Sequence, residues 1–146
     1  MIKKTVDILI DFDGTCVAHE FPKVGKDIGA VPVLQALAKR GHRLILFTMR
    51  SDCVENTGHS EEFPEVISGD FLTDAVNWFK ENNIPLYGIQ RNPDQDSWTT
   101  SPKAYGQLII DDICLGIPLV KYPDHDGRPY VDWKRVNHWL QLNGYL

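Results

Sequence analysis

The fold class predicted from this sequence is α/β with a mainly parallel sheet, and two observations predict it. Short aliphatic runs, dense enough in β-branched residues to be buried on both faces, recur along the chain, and segments of helical period separate them. Consecutive parallel strands need a crossover, and a helix is its usual form.

The first run, residues 6–11 (Val-Asp-Ile-Leu-Ile-Asp), ends in the turn-forming cluster Asp11-Phe12-Asp13-Gly14-Thr15. Residues 16–29 carry Pro22, Gly25 and Gly29 without a period and read as an excursion of the size of a small hairpin, part of a flap at about 14–30. Val31, Val33, Leu34, Leu37 and Ala38 then fall at helical spacing, with Pro32 tolerated in the first turn and Gly41 as the stop. Residues 43–48 form a second strand. The polar, irregular stretch of about 49–69 reads as one long loop, and loops of that length are usually functional. Asp70 is the expected side-chain cap of a helix whose apolar face is Phe71, Leu72, Ala75, Val76, Trp78 and Phe79, ended by Asn82-Asn83 and Pro85.

Residues 85–89 and 108–111 read as the third and fourth strands, and 119–120 as a fifth. Asp126-Gly127 signals a turn. Val131, Trp133, Val136, Trp139 and Leu140 make the apolar stripe of a closing helix capped near Asp132, and Trp78, Trp133 and Trp139 are expected in the core.

Composition sets outer limits. The 146 residues, 42% hydrophobic and 24% charged, suit one globular domain over 1–146 that buries roughly 68–70% of its unfolded surface. A net charge of −5 with no basic stripe disfavours nucleic acid as a partner. No stretch approaches the roughly 20 apolar residues of a membrane span, and with Asp7 reached before any long apolar run no signal peptide is expected. Cys16, Cys53 and Cys114, odd in number and far apart, indicate neither disulfides nor zinc, so a cytoplasmic location is expected.

Parallel sheets bind ligands at the carboxyl ends of their strands. That rule selects Asp11, Asp13, Thr48, Arg50, Gln90, Arg91, Asp111 and Asp112. Carboxylates gathered at one edge repel one another unless protons or a cation compensate, and a hard divalent cation such as Mg²⁺ with oxygen ligands is the economical solution. Thr48 supplies a hydroxyl donor and Lys103 a positive charge suited to an anionic substrate.

The runs Ile8-Leu9-Ile10-Asp11-Phe12-Asp13-Gly14-Thr15, Leu44-Ile45-Leu46-Phe47-Thr48, Ser101-Pro102-Lys103 and Leu108-Ile109-Ile110-Asp111-Asp112 resemble, in order, the four motifs of the haloacid dehalogenase-like hydrolases. The resemblance spans roughly residues 6–122. It implies a three-layer Rossmann-like domain, and the short inserts at 14–30 and 90–102 leave no room for a cap domain.

The resemblance also implies roles. Asp11 would be the nucleophile that forms an aspartyl-phosphate. Asp13 would protonate the leaving oxygen and then activate water, with its backbone carbonyl on the metal. Thr48 would hydrogen-bond the phosphoryl group, and Lys103 would neutralise its charge and steady Asp11. Asp11, Asp13, Asp111 and Asp112 would hold Mg²⁺, with Asp112 as direct ligand and Asp111 behind it, the reverse assignment standing open. Gly14, Thr15, Met49, Arg50, Arg91 and Trp98 are the expected substrate contacts, Trp98 by stacking on a ring, although packing over the sheet edge explains Trp98, and ordinary surface salt bridges explain Arg50 and Arg91, equally well. His19, His59 and His125 show no mutual metal spacing and read as loop residues, although His19 or His59 could approach an open site.

The second carboxylate at Asp13 favours phosphate chemistry over dehalogenation. The expected activity is therefore a Mg²⁺-dependent phosphomonoester hydrolase acting on a sugar phosphate or another small phosphorylated metabolite. The alternatives are a phosphatase for a nucleic-acid or protein phosphate end, and a catalytically silent protein that binds a phosphorylated ligand. A phospho-accepting receiver module would gather similar residues, but in the reverse motif order. A homodimer is compatible with a capless member of this group.

Overall fold

The structure is a computed structural model and describes residues 4–56, 66–121 and 127–146. Along the chain run β1 (Asp7–Ile10), α1 (Ala30–Lys39), β2 (Arg43–Leu46), β3 (Asp52–Asn56), β4 (Val66–Asp70), α2 (Phe71–Glu81), β5 (Leu86–Ile89), β6 (Leu108–Ile110), β7 (Leu119–Val120), β8 (Tyr130–Val131) and α3 (Trp133–Leu142). Strands β1, β2, β5 and β6 form one sheet in the order β5-β2-β1-β6, and every pairing in it is parallel. The α/β class read from the sequence is the observed one.

The strand residues alternate between two faces as the pleat requires. Ile8, Ile10, Leu44 and Leu46 share one buried cluster with Val33, Leu34 and Leu37 of α1, Phe79 of α2, and Val136 and Leu140 of α3. Leu9 and Ile45 point the other way and meet Ala104. The layers are thus helices, sheet, and on the second face the segment 91–107 with its 3-10 turn at Pro93–Ser97. Buried Asn92 and Gln95 fix that segment: Asn92 Nδ2 donates to Asp7 Oδ2 (2.9 Å), and Gln95 Nε2 donates to the carbonyl of Lys103 (2.9 Å). This is a Rossmann-like three-layer arrangement whose third layer is mostly loop.

Four local expectations change. The stretch 49–69 is not one irregular loop, because β3 and β4 pair antiparallel from Asp52↔Asp70 to Asn56↔Val66; its residues 57–65, with His59, lie outside the described residues, as do His125 and Asp126 of the expected turn. The side chain of Asp70 does not cap α2. Asp52 does so from the hairpin base, where Oδ1 accepts the Thr73 amide (2.9 Å) and Oδ2 the Thr73 hydroxyl (2.8 Å). Residues 119–120 pair only with β8 and stand outside the main sheet. Trp139 is half exposed, stacked on Tyr145, and not in the core. Asp132 does cap α3, accepting the Arg135 amide at 3.2 Å.

The flap is held by two isolated bridges, Asp13↔Val17 and Val17↔Asp27, and by the Ala18 amide on the Lys26 carbonyl (3.0 Å). Among the described residues no helix is long and apolar enough to cross a membrane.

Candidate functional site

The strand order places the site. After β1 the chain steps to β2 and later outward to β5, then returns to the far side of β1 as β6. The direction of winding reverses between β1 and β6, and open α/β sheets bind ligands in the crevice at the carboxyl ends of such a strand pair. Asp11 follows β1, Asp111 and Asp112 follow β6, and the Asp11 amide donates to the Ile110 carbonyl at 3.1 Å. One oxygen from each of the three carboxylates lies within 4.8 Å of the others.

Thr15 ties the two strand ends together. Its hydroxyl donates to Asp11 Oδ2 (2.7 Å), the same oxygen accepts the Asp112 amide (3.0 Å), and its carbonyl accepts Trp133 Nε1 (2.6 Å). Thr15 and Trp133 are both buried, so this threonine orients the acids from beneath and does not reach a substrate, a correction to its expected role.

Burial is the largest influence on Asp11 and pushes its carboxyl up to about 8, reinforced by the charges of Asp111 and Asp112 and opposed by the Thr15 hydrogen bond. Asp111 is raised as well, first by burial and then by Asp112, against the hydrogen bond from the Ile113 amide. Beneath them Cys16 is fully buried with its Sγ 3.2 Å from the Asp11 carbonyl, and its thiol is held well above the usual range by burial and by the neighbouring aspartates. A site of three mutually repelling carboxylates, all hard oxygen donors, fits a hard divalent cation; protons would satisfy it otherwise.

Asp13 stands apart from this trio. Its two oxygens are gripped by Arg50, with Nε on Oδ2 and Nη2 on Oδ1, each at 2.8 Å. Arg50 is 2% exposed, and its other donors go to the carbonyls of Pro22 (3.4 Å), Lys23 (2.8 Å) and Phe71 (3.3 Å). Expected to bind substrate, Arg50 is spent inside the protein, joining Asp13 to the flap and to the start of α2.

Thr48 lies at the end of β2, where the Phe47 amide donates to the Ile10 carbonyl (2.7 Å). The Gln90 side chain clamps Thr48 on both sides: Oε1 accepts the Thr48 amide (2.9 Å) and Nε2 donates to its carbonyl (2.7 Å). Gln90 does this from a left-handed backbone conformation, φ 64°. Its strand-end position was legible in the sequence, but its grip on Thr48 was not.

The remaining expected contacts divide. Met49 is 95% exposed beside Thr48. Lys103 is exposed and, among the described residues, pairs with no carboxylate, so the expected contact with Asp11 is not made here. Arg91 braces its own loop, bonding Asp96 and the carbonyls of Ser101 (2.9 Å) and Thr99 (3.3 Å). Of the two readings of Trp98, packing is the observed one and substrate stacking is not: it lies edge-on against Tyr105 in a cleft lined by Thr5, Asp7 and Arg43, at the amino ends of β1 and β2. The 3-10 turn carries the chain to that end of the sheet, away from the acids.

Gly14 is covered by His19. The imidazole Nε2 lies 3.0 Å from Asp112 Oδ2, off the line a hydrogen bond needs, so that Nε2 is buried and makes no hydrogen bond among the described residues. The sequence reads His19 as a loop residue that could approach an open site; it does approach, and its path over Gly14 is the part with no signal in the sequence.

Fold and site together define a Rossmann-like α/β domain with an acidic centre at the carboxyl edge of a parallel sheet. No protein-family model matches the chain, and no curated protein does. Among solved structures it is similar to a conserved protein from Bacteroides thetaiotaomicron, at 26% identity and a TM-score of 0.67, over 96% of this chain and 93% of that one.

Proposed function

We propose that this chain is a Mg²⁺-dependent phosphomonoester hydrolase working through an aspartyl-phosphate on Asp11, with a small phosphorylated metabolite such as a sugar phosphate as substrate. The observation that carries the reading is the convergence of Asp11 with Asp111 and Asp112 at the point where the winding of the sheet reverses, with no lysine or arginine paired to them among the described residues. Mg²⁺ held by these carboxylates would supply the positive charge that keeps Asp11 ionised and screens the phosphoryl oxygens from it.

In this reading an Asp11 oxygen forms the bond to phosphorus as the bond to the ester oxygen breaks. Asp13 would give the leaving oxygen its proton and then take one from the water whose oxygen bonds phosphorus as the bond to Asp11 breaks, a role that requires its bidentate pair with Arg50 to open so that a proton can be carried. Thr48, fixed by Gln90, offers its hydroxyl to the phosphoryl group, and Lys103, which pairs with no carboxylate among the described residues, swings its ammonium to the same oxygens.

A second reading, a silent protein that binds a phosphorylated ligand, is favoured by the ion pair that occupies both Asp13 oxygens. One experiment separates the two: phosphate release from sugar phosphates, nucleotides, a 3′-phosphorylated oligonucleotide, phosphopeptides and an aryl phosphate, in Mg²⁺ or chelator, for wild type and Asp11→Asn. Metal-dependent release that vanishes in the variant supports the hydrolase. Tight binding of a phosphorylated compound without turnover supports the silent binder.

A further inference from the structure

We propose that His19 is a positioning residue for Asp112, holding that carboxylate in the cation-binding trio, and that position 14 is glycine so that the imidazole can reach it. The inference rests on the metal-dependent reading above.

Three observations carry it. His19 Nε2 stands 3.0 Å from Asp112 Oδ2, with both side chains only 12% exposed. The nitrogen is buried and makes no hydrogen bond among the described residues, a state that is uncommon in folded proteins and asks for an explanation. The third observation is the space over Gly14. A Cβ built there would lie 2.0 Å from His19 Nε2, 2.3 Å from Cε1 and 2.8 Å from Asp112 Oδ2, and the residue has φ +78°, so both the room and the backbone demand glycine.

The imidazole is delivered by a built element. Next to it the Ala18 amide bonds the Lys26 carbonyl (3.0 Å), and Gly25 lets the two sides of the flap close up, since a Cβ there would sit 2.0 Å from the Ala18 carbonyl oxygen. The flap therefore fixes where His19 points. The carboxylates that can share a cation are Asp11, Asp111 and Asp112, and His19 is outside that group. Its place is behind Asp112, where Nε2, carrying the proton and turned onto Oδ2 once an ion draws that carboxylate in, would orient a ligating carboxylate, and such outer partners govern metal affinity almost as strongly as the ligands do.

The test uses Mn²⁺ as the probe and free-Mn²⁺ EPR as the readout, on the full chain. Asp11→Asn first establishes that the bound ion sits at the trio. His19→Leu, which fills the space without a polar atom, is expected to weaken Mn²⁺ about 10–100-fold. His19→Gln, whose amide nitrogen can stand where Nε2 stands, is expected to recover most of the loss. Thermal unfolding checks that each variant is folded, with His19→Ala as the replacement if the leucine is not accommodated. Wild-type affinity in folded His19→Leu overturns the inference and leaves the metal reading intact. Absence of Mn²⁺ binding by wild type overturns both. A ¹⁴N coupling on the bound Mn²⁺ makes His19 a direct ligand and overturns the positioning role.

Discussion

Arg50 grips both oxygens of Asp13 at 2.8 Å while its other donors reach three carbonyls, so all five N–H groups of one buried guanidinium are satisfied. Breaking a buried pair by removing one partner leaves a charge without compensation, which typically costs about 3–5 kcal/mol. Arg50→Ala is expected to lose stability on that scale. Arg50→Lys, which keeps the charge but not the fork, should lose less. Urea unfolding measures both, and a loss below about 1 kcal/mol in Arg50→Ala would mean that the flap and α2 do not depend on this residue.

The raised Asp11 carboxyl links stability to pH and to metal. Its pKa is about 8 folded, against roughly 3.9 in an unfolded chain, so the folded state binds the extra proton between these values. The metal-free protein is accordingly most stable, as far as this group decides, below the unfolded pKa, and loses that stability as pH rises through about 8. Asp11→Asn cannot ionise. In chelator it is expected to melt above wild type at pH values beyond about 8, with the gap closing toward acid. Mg²⁺ should raise the wild-type melting temperature more at the alkaline end, because there it replaces no proton. Parallel melting curves for the two proteins across this range would remove the electrostatic argument for a cation.

The four parallel strands were legible because buried strands are aliphatic and their spacing leaves room only for crossovers, as with residues 8–10 and 44–46. Asp11, Asp111 and Asp112 were legible because strand ends are fixed once strands are. The β3–β4 hairpin was not: its strands have no apolar alternation, and its base is anchored by Asp52 on Thr73, a contact 21 residues apart. Arg50 and Arg91 looked alike in sequence, each just past a strand end, yet one is buried on Asp13 and the other braces a loop. Trp98 was placed by nearness in sequence to Lys103, which says nothing about the end of the sheet to which a turn carries the chain.

Gln90 is expected to matter for activity more than for folding. Its two hydrogen bonds to the Thr48 backbone and a third to the Arg50 carbonyl (3.2 Å) are the contacts by which its side chain fixes the Thr48 turn beside Asp11. Gln90→Ala removes all three, at a cost of about 1–2 kcal/mol in unfolding experiments, while a displacement of order 1 Å in a reacting group is enough to lower kcat/KM about 10²-fold. A variant that loses stability but keeps wild-type kcat/KM would show that Thr48 does not touch the transferred group.

Thr15→Val separates orientation from charge at the acidic centre. Valine has the shape of threonine without the hydroxyl, so the variant deletes the donor to Asp11 Oδ2 and the acceptor of the Asp112 amide while leaving the carbonyl that holds Trp133. Two consequences follow from one atom. The Asp112 amide loses its partner in a partly buried place, which costs about 1–3 kcal/mol. Asp11 also loses the hydrogen bond that opposes its burial, so its carboxyl rises further and a cation must displace a more tightly held proton. Mn²⁺ affinity in Thr15→Val is therefore expected to fall, and to fall most at low pH, where proton competition is strongest. An affinity that drops by the same factor at every pH would instead mean that Thr15 acts only by placing the Asp112 backbone.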